Sequence, residues 1–250
     1  MSDVLFWTVA ALAVSCMGLS KAGIVGFGLI STLLLATIVP PMQAAAILLP
    51  IMLIQDGISV WSYWKHWDRS VFSRLIPGAA IGISFGWLIA AYASDGVIRL
   101  LVGLLALAFV LNDWLDRKPL MAARPAKLAA IFWGTASGFT GMLANAGGPP
   151  VIVYLLSQEL PKLTFVGTLA VYFAIINGIR IVPFFSLGQI SSENIVVSAV
   201  LLPVALATNL LGILLVKVTP TELYFRMARA FIFLVSAALV YQGAVSLFRG

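Results

Sequence analysis

Two stretches of the chain decide its fold: GLSKAGIVGFGLISTLLLATIVPP at 18–41 and GFTGMLANAGGPPVIVYLLSQELP at 138–161. An offset of 120 residues superposes four positions of the first on the second, namely Gly18, Ser20, Gly28 and Pro41 on Gly138, Thr140, Gly148 and Pro161. Glycine lets the backbone turn sharply, and proline is tolerated in the first turn of a helix. Each glycine-rich motif is therefore predicted to interrupt an apolar segment and to end as the start of a new helix.

The chain around these stretches is strongly apolar. Of its 250 residues, 62% are hydrophobic and 10% are charged, and the mean hydropathy is +1.07. An ordinary soluble domain has about 45–50% apolar and about 25% charged residues. The composition excludes a soluble domain, a disordered chain and a collagen-like fibre. It predicts an all-α polytopic membrane protein.

Charges, prolines and glycines divide the chain into ten candidate membrane segments. They lie near 4–20, 24–39, 42–62, 74–92, 97–112, 127–143, 149–158, 163–179, 194–216 and 223–247. The first carries Asp3 and no cation in front of it, so it is interpreted as a membrane segment and not as a signal peptide. The seventh reaches only about half-way through a hydrocarbon core of about 30 Å, so it is predicted to be a half-helix or a re-entrant arm.

Basic residues gather on one side of these segments. Counted from the amino terminus, the even-numbered connections hold eleven and the odd-numbered ones three, with Lys21 set aside. The eleven are Lys65, Arg69, Arg74, Arg117, Lys118, Arg124, Lys127, Lys162, Lys217, Arg226 and Arg229, and the three are Arg99, Arg180 and Arg249. Because cytoplasmic loops are enriched in basic residues, the loops near 63–74, 113–127 and 217–229 are predicted to be cytoplasmic and both termini periplasmic.

The two motifs belong to a longer internal repeat. One residue beyond the offset of 120, Asp56-Gly57 matches Asn177-Gly178. Residues 1–112 and 127–250 are therefore interpreted as two membrane repeats of about five segments, joined by a cytoplasmic linker at 113–126. An odd number of segments inverts the second copy. Inverted repeats with broken segments in matching positions predict an alternating-access transporter, whose site lies where those segments meet.

The broken segments are the candidate substrate site. A helix start offers free N–H groups and the positive end of the helix dipole, which favour a small anion. Lys21 is a candidate point charge and Asn145 a candidate amide donor. The alternatives are that the glycines serve close helix packing and that the Lys21 side chain extends to the interface. The predicted substrate-binding residues are Lys21, Gly26, Gly28, Asn145, Gly147, Gly148, Pro149 and Arg180.

A second group is predicted to couple or gate transport and consists of Asp56, Gln55 and Asn177. Acidic residues inside membrane segments are costly and usually functional. Asp56 could carry a coupling proton or pair with a cation such as Arg180; alternatively, cytoplasmic arginines hold it at a helix end. Arg180 itself could meet an entering anion or mark the outer interface. Thr208 and Asn209 are predicted to form hydrogen bonds between helices, with a binding role as the alternative.

Enzymatic and nucleic-acid functions have little support in the sequence. The chain has one histidine, His66, one cysteine, Cys16, and no HExxH motif. No catalytic residue, metal site or cofactor is therefore predicted. Orientation in the bilayer explains the basic clusters better than nucleic acid does. The predicted partners are a small anion, the lipid bilayer and protons as a candidate coupling ion, and an interfacial belt is predicted from Trp61, Tyr63, Trp64, Trp67 and Trp114.

The glycine-rich run at 23–28, the run GFTGMLANAGGPP at 138–150 and the two-copy layout resemble the sulfite exporter TauE/SafE family. This family is also called the 4-toluenesulfonate uptake permeases. The resemblance implies a bacterial inner-membrane protein with paired repeats that moves sulfite, sulfonates such as sulfoacetate, or related small anions. The expected function is thus transport of a sulfur-containing anion, with export as the favoured direction. The alternatives are an anion channel and a non-transporting membrane subunit.

Overall fold

The computed structural model describes residues 3–25, 27–39, 41–89, 126–188 and 190–248. Within these ranges it contains nine helices and no strand. The helices are α1 (Asp3–Lys21), α2 (Phe27–Leu35), α3 (Pro41–Tyr63), α4 (Arg69–Ile89), α5 (Ala126–Ala144), α6 (Gly148–Leu156), α7 (Lys162–Ser186), α8 (Ser192–Val218) and α9 (Thr221–Phe248). In the described part of the chain, five helices are long and apolar enough to span a membrane, namely α1, α3, α4, α7 and α8. The predicted all-helical polytopic membrane fold is confirmed.

The predicted segments correspond to these helices with two corrections, while the segment at 97–112 lies outside the described residues. The segment at 24–39 is wrong in extent, because α2 has only nine residues and ends at Leu35. Two prolines follow at 40–41, and a residue before proline is disfavoured in the helical conformation. The other correction concerns α7, which continues through Pro183 to Ser186 and so places Arg180 inside the helix.

The second broken segment is as short as predicted. Helix α6 runs from Gly148 to Leu156 and has nine residues, the same length as α2. At 1.5 Å per residue, each is about 13 Å long and cannot cross a hydrocarbon core of about 30 Å. Both helices begin where a glycine-rich motif ends, at Phe27 and at Gly148, which confirms that each motif ends as a helix start.

The chain forms two compact units. The first contains residues 1–68 and 162–221, and the second contains residues 69–161 and 222–250. In the first unit, α1 packs along α2 and α8, while α3 packs against α7, α8, α1 and α2. In the second unit, α4 packs along α5, and α6 packs against α5. Each unit therefore takes helices from both predicted repeats.

Glycines allow one helix pair in each unit to approach closely. In the first unit, a Cβ on Gly18 of α1 would lie 2.7 Å from the carbonyl oxygen of Ala205 in α8. In the second, a Cβ on Gly138 of α5 would lie 2.1 Å from the carbonyl oxygen of Ala79 in α4. The two glycines are 120 positions apart and the two alanines 126 positions apart. A close contact between a glycine and an alanine thus occurs once in each unit.

A second glycine contact repeats in the same way further along these helices. In the first unit, Gly212 of α8 lies against Leu19 of α1 and Ala22, the residue after α1. In the second, Gly86 of α4 lies against the residues 120 positions after those two, Phe139 and Met142 of α5. Small residues let helix backbones approach closely in a membrane, where van der Waals packing replaces the hydrophobic effect.

Replacing Gly138 by alanine is expected to destabilise the second unit by about 1–3 kcal/mol, because α4 and α5 must separate to admit the methyl group. The matched control is Gly178→Ala, since a Cβ on Gly178 meets nothing within 4 Å. That change is expected to preserve or raise stability by about 0.5–1 kcal/mol, as alanine favours a helix interior. The unfolding midpoints of the purified variants in detergent test this; equal midpoints would contradict the packing argument.

Candidate functional site

A buried ion pair joins the end of α1 to the middle of α3. The Lys21 Nζ lies 2.7 Å from the Asp56 Oδ1, and the side chains are 7% and 2% exposed, respectively. Lys21 is the last residue of α1, next to the glycine-rich motif. The side chain therefore points into the first unit and does not extend to the interface, so the interfacial alternative for Lys21 is wrong.

Helix α7 extends this ion pair into a chain of four side chains. The second carboxylate oxygen of Asp56 accepts a hydrogen bond of 2.7 Å from the Asn177 amide. The Asn177 Oδ1 in turn accepts a hydrogen bond of 3.0 Å from the Arg180 Nη1. Asn177 and Arg180 are each 2% exposed. We call Lys21, Asp56, Asn177 and Arg180 the charged cluster.

Aromatic rings lie beside both cations of the charged cluster. The Lys21 ammonium lies 5.1 Å from the ring centre of Phe173, and the Arg180 guanidinium lies 5.2 Å from that of Phe184. The negative face of an aromatic ring attracts a cation, and more strongly away from water. These rings help to hold two cations within the apolar interior.

The charged cluster contains two cations, Lys21 and Arg180, and one carboxylate, Asp56. Burying charge in a medium of low dielectric is costly unless opposite charge lies close by. Two buried cations in one group of side chains suit the binding of a small anion.

The end of α1 is tightly held, which positions Lys21. The N–H groups of Gly23 and Ile24 donate hydrogen bonds of 3.0 Å to the carbonyls of Ser20 and Leu19, respectively. This is the Schellman pattern of a helix end, and it requires the left-handed backbone that Gly23 adopts at φ 109°. The Ser59 hydroxyl also donates to the Lys21 carbonyl at 2.7 Å.

Two further side chains bind carbonyls at the end of α1. The Tyr63 hydroxyl donates to the carbonyl of Ala22, the residue after α1, at 2.9 Å. The Asn209 amide donates at 3.2 Å to the carbonyl of Gly18, which also accepts from the Ala22 N–H. Of the aromatic residues predicted to form an interfacial belt, Tyr63 is buried, Trp61 and Trp64 are exposed, and Trp114 lies outside the described residues.

The second glycine-rich motif closes α5 in a related way. Asn145 follows the helix with a left-handed backbone at φ 52°, and its N–H donates 3.1 Å to the carbonyl of Gly141. Asparagine tolerates this conformation better than most residues other than glycine. The Ser137 hydroxyl then donates to the Gly147 carbonyl at 2.6 Å, and the Thr140 hydroxyl to the Ala146 carbonyl at 3.0 Å.

The structure brings together one part of the predicted site. Lys21, Asp56, Asn177 and Arg180 share the charged cluster, and the neighbouring Gln55 donates 2.9 Å to the Ala205 carbonyl. Gly28 belongs to the same unit, and Gly26 lies outside the described residues. The remaining predicted residues belong to the second unit, namely Asn145, Gly147, Gly148 and Pro149. A convergence of the two motifs stays a prediction.

Several side-chain partners differ from the sequence-based expectations. Asp56 pairs directly with Lys21, so the alternative of an acid held by cytoplasmic arginines is wrong. Arg180 is buried, so its role as an interface marker is also wrong. The predicted bond between helices is confirmed for Asn209, whereas the Thr208 hydroxyl donates to Val204 and Ala205 of its own helix. The contact of Asp56 with Asn177 was signalled only by their matched positions in the repeat.

Close packing explains some of the glycines. A Cβ on Gly28 would lie 2.8 Å from the Ser20 hydroxyl oxygen, and one on Gly147 would lie 2.8 Å from the Ser137 carbonyl oxygen. A Cβ on Gly148, by contrast, would meet only Ile152, at an ordinary 3.7 Å. Packing therefore does not require a glycine at 148. In the described part of the chain, no group of three or more His, Cys, Asp or Glu side chains could hold a metal ion.

The membrane-spanning helices, the two short helices and the buried charged cluster define a multi-pass helical membrane protein. The profile of the family described as "Sulfite exporter TauE/SafE" matches residues 10–240. The chain therefore belongs to the TauE/SafE family of membrane transporters. No curated protein and no solved structure matches the chain.

Substitutions at two adjacent glycines distinguish a role in packing from a role in ligand binding. Gly147→Ala is expected to destabilise the protein by about 1–3 kcal/mol, because its methyl group collides with the Ser137 carbonyl. Gly148→Ala is expected to fold normally and to weaken anion binding, because a methyl group would stand beside the helix start. Unfolding midpoints and binding titrations with sulfite would measure both effects, and unchanged binding in the Gly148 variant would remove this residue from the site.

Asn145 offers a similar separation of backbone and side chain. Asn145→Gly keeps a left-handed backbone accessible and removes the amide, so we expect normal stability with weaker substrate binding. Asn145→Ala is expected to lose about 1–2 kcal/mol of stability as well, because alanine disfavours φ 52°. The same two measurements apply. If the glycine variant binds sulfite as the unmodified protein does, the role of Asn145 is limited to ending α5.

Proposed function

We propose that this protein is a transporter of the bacterial inner membrane that exports a small sulfur-containing anion, such as sulfite, sulfoacetate or another organosulfonate, by alternating access. The observation that carries the proposal is the charged cluster, in which the cations Lys21 and Arg180 are buried together. Ionic groups inside membrane segments are costly and mark substrate or ion pathways. Two buried cations suit an anion, in agreement with a family described as a sulfite exporter.

Matched features of the two repeats support alternating access. Residues 1–112 and 127–250 each begin with a long helix, a helix of nine residues and two further long helices. The glycine contacts of α1 with α8 recur between α5 and α4 at matched positions. Inverted repeats with broken helices rock about a substrate site between them, which exposes that site to one side of the membrane at a time.

In this proposal, the two buried cations and the starts of the short helices bind the substrate together. The ammonium of Lys21 and the guanidinium of Arg180 suit oxyanion oxygens, the first as a point charge and the second as a planar fork. Backbone N–H groups at the starts of α2 and α6, near Gly28 and Gly148, supply further donors. Sulfite and sulfonate groups present three oxygens, which matches several donors better than a halide would.

The proposed orientation places both termini in the periplasm and the linker at 113–126 in the cytoplasm. Among the described residues, the exposed Trp61 and Trp64 precede the basic residue Lys65, as expected at a cytoplasmic interface. Lys162, at the start of α7, donates to the carbonyls of Val216 and Thr219 near the end of α8. A cation at this helix end is favourable because the carbonyls carry partial negative charge.

The proposal is tested by measuring the uptake of labelled sulfite and sulfoacetate into proteoliposomes, with chloride for comparison. We expect saturable flux of at least one of the two sulfur-containing anions. Arg180→Gln is expected to raise the half-saturating concentration by about tenfold to hundredfold, the usual loss for a hydrogen bond to a charged group. Lys65→Gln, which removes an exposed cation, serves as the matched control and should leave the flux unchanged.

The possible outcomes separate the alternatives. Flux that never saturates and appears as unitary currents would favour an anion channel. Saturable chloride flux equal to that of sulfite would contradict selectivity for sulfur-containing anions. No flux of any tested anion, from protein that is folded in detergent and in vesicles, would contradict transport of this substrate class and favour a non-transporting membrane subunit.

A further inference from the structure

We propose that the Asp56 carboxylate binds where the transported anion binds. Protonation of Asp56 would then leave Lys21 and Arg180 to bind the substrate. One proton would then cross the membrane with each anion, so that export proceeds when the outward gradient of the anion exceeds the inward gradient of protons. This inference rests on the proposed function and names the coupling ion, its carrier and the order of binding. It is carried by the geometry of the charged cluster.

Both oxygens of Asp56 are already bound as an oxyanion would be. One accepts from the Lys21 ammonium and the other from the Asn177 amide, each at 2.7 Å. Arg180 stands on the far side of Asn177, linked to the same amide group. A sulfonate or sulfite group placed among these donors would find the same ammonium, amide and guanidinium. It would compete with the carboxylate for them.

Asp56 contacts the residue that occupies its own position in the other predicted repeat. Asp56 and Asn177 occupy matched positions of the two repeats, and their side chains contact each other directly. When two repeats are related by a two-fold axis, a residue can contact its own counterpart only close to that axis. Transporter substrate sites lie at the interface between such repeats. One repeat supplies an acid there and the other an amide, so one proton is the expected stoichiometry.

A glycine follows each of these two residues. Gly57 and Gly178 directly follow Asp56 and Asn177, and a Cβ added to either would meet nothing within 4 Å. Glycine weakens a helix interior relative to alanine, and packing does not explain its presence at these two positions.

Among the residues that the structure describes, few charges lie on the helices that pack against α3. Helix α1 contributes Lys21, and its other ionisable groups, Asp3 and Cys16, lie further toward its start. Helix α7 contributes Arg180 through Asn177, and it also carries Lys162 at its start and the buried Tyr172. Helix α2 has no ionisable residue. In α8 the charged residues are Glu193 and Lys217, near its two ends. On α3 itself the Tyr63 hydroxyl donates to Ala22.

The proposed cycle balances in protons and in charge. On one side of the membrane the Asp56 carboxylate takes one proton from water, forming an O–H bond, and releases Lys21. The anion then binds Lys21 and Arg180. On the other side the anion leaves, the O–H bond breaks, the proton returns to water and Asp56 pairs with Lys21 again. For a singly charged substrate the added proton and the added anion cancel, so no additional net charge is buried.

Methanesulfonate is the probe for the test, because its single negative charge does not change with pH. Its uptake into proteoliposomes is followed together with internal pH, reported by an entrapped dye, under a potassium diffusion potential clamped by valinomycin. We expect one proton per methanesulfonate and a flux that is insensitive to voltage. Binding should tighten by up to about tenfold for each pH unit of acidification, the limit for one linked proton.

Asp56→Asn imitates the protonated carboxyl group and is the decisive variant. We expect it to bind methanesulfonate independently of pH and to move it without protons, so that any remaining flux becomes sensitive to voltage. Glu193→Gln, which removes an exposed carboxylate at the start of α8, is the matched control and should keep the coupled flux. A variant that still moves one proton per anion would overturn the inference.

The unmodified protein keeps the inference testable if the Asp56 variant does not fold. Saturable methanesulfonate flux without proton movement would overturn the inference and leave the proposed function standing. The same holds for binding that does not depend on pH. Absence of flux for methanesulfonate, sulfite and sulfoacetate alike would contradict the proposed function itself.

Discussion

The requirement that every backbone polar group within the membrane find a partner in the protein governs this structure. In the described ranges the chain meets it by folding mainly into helices, and two glycine-rich motifs are among the places where it departs from helix. At each motif the exposed carbonyls are bound by side chains, such as Ser59 and Tyr63 at the first and Ser137 and Thr140 at the second. The breaks are therefore satisfied features of the fold.

The charged cluster depends on the first of these breaks. Because α1 ends at Lys21 and its last turn is held by a Schellman pattern and by Ser59, the ammonium of Lys21 reaches Asp56 in the interior. A helix continuing through this point would carry the ammonium elsewhere. The close contact of α1 with α8 at Gly18 supports the same geometry, since a larger residue there would displace the end of α1.

Much of this architecture can be predicted from the sequence, because it depends on residues that are close together along the chain. Apolar runs of about 20 residues predict spanning helices, and the sequence Gly147-Gly148-Pro149-Pro150 predicts the start of a short one. The prediction fails at α2, where the prolines at 40–41 end the helix four residues earlier than hydropathy indicates. It also fails for the ionic partner of Asp56. The expected cation was Arg180, but Lys21 forms the pair, because side-chain pairing depends on how α1 and α3 pack.

The sequence by itself determined the helical membrane fold, the two broken segments, the family and the matched positions of Asp56 and Asn177. These features reside in composition, in residues close together along the chain, or in comparison of one half with the other. Only the tertiary structure decided that Asp56 and Asn177 touch and that Lys21 completes the carboxylate's contacts. The physical reason is that such contacts form between helices distant in sequence, and their partners are set by packing, which no single segment encodes.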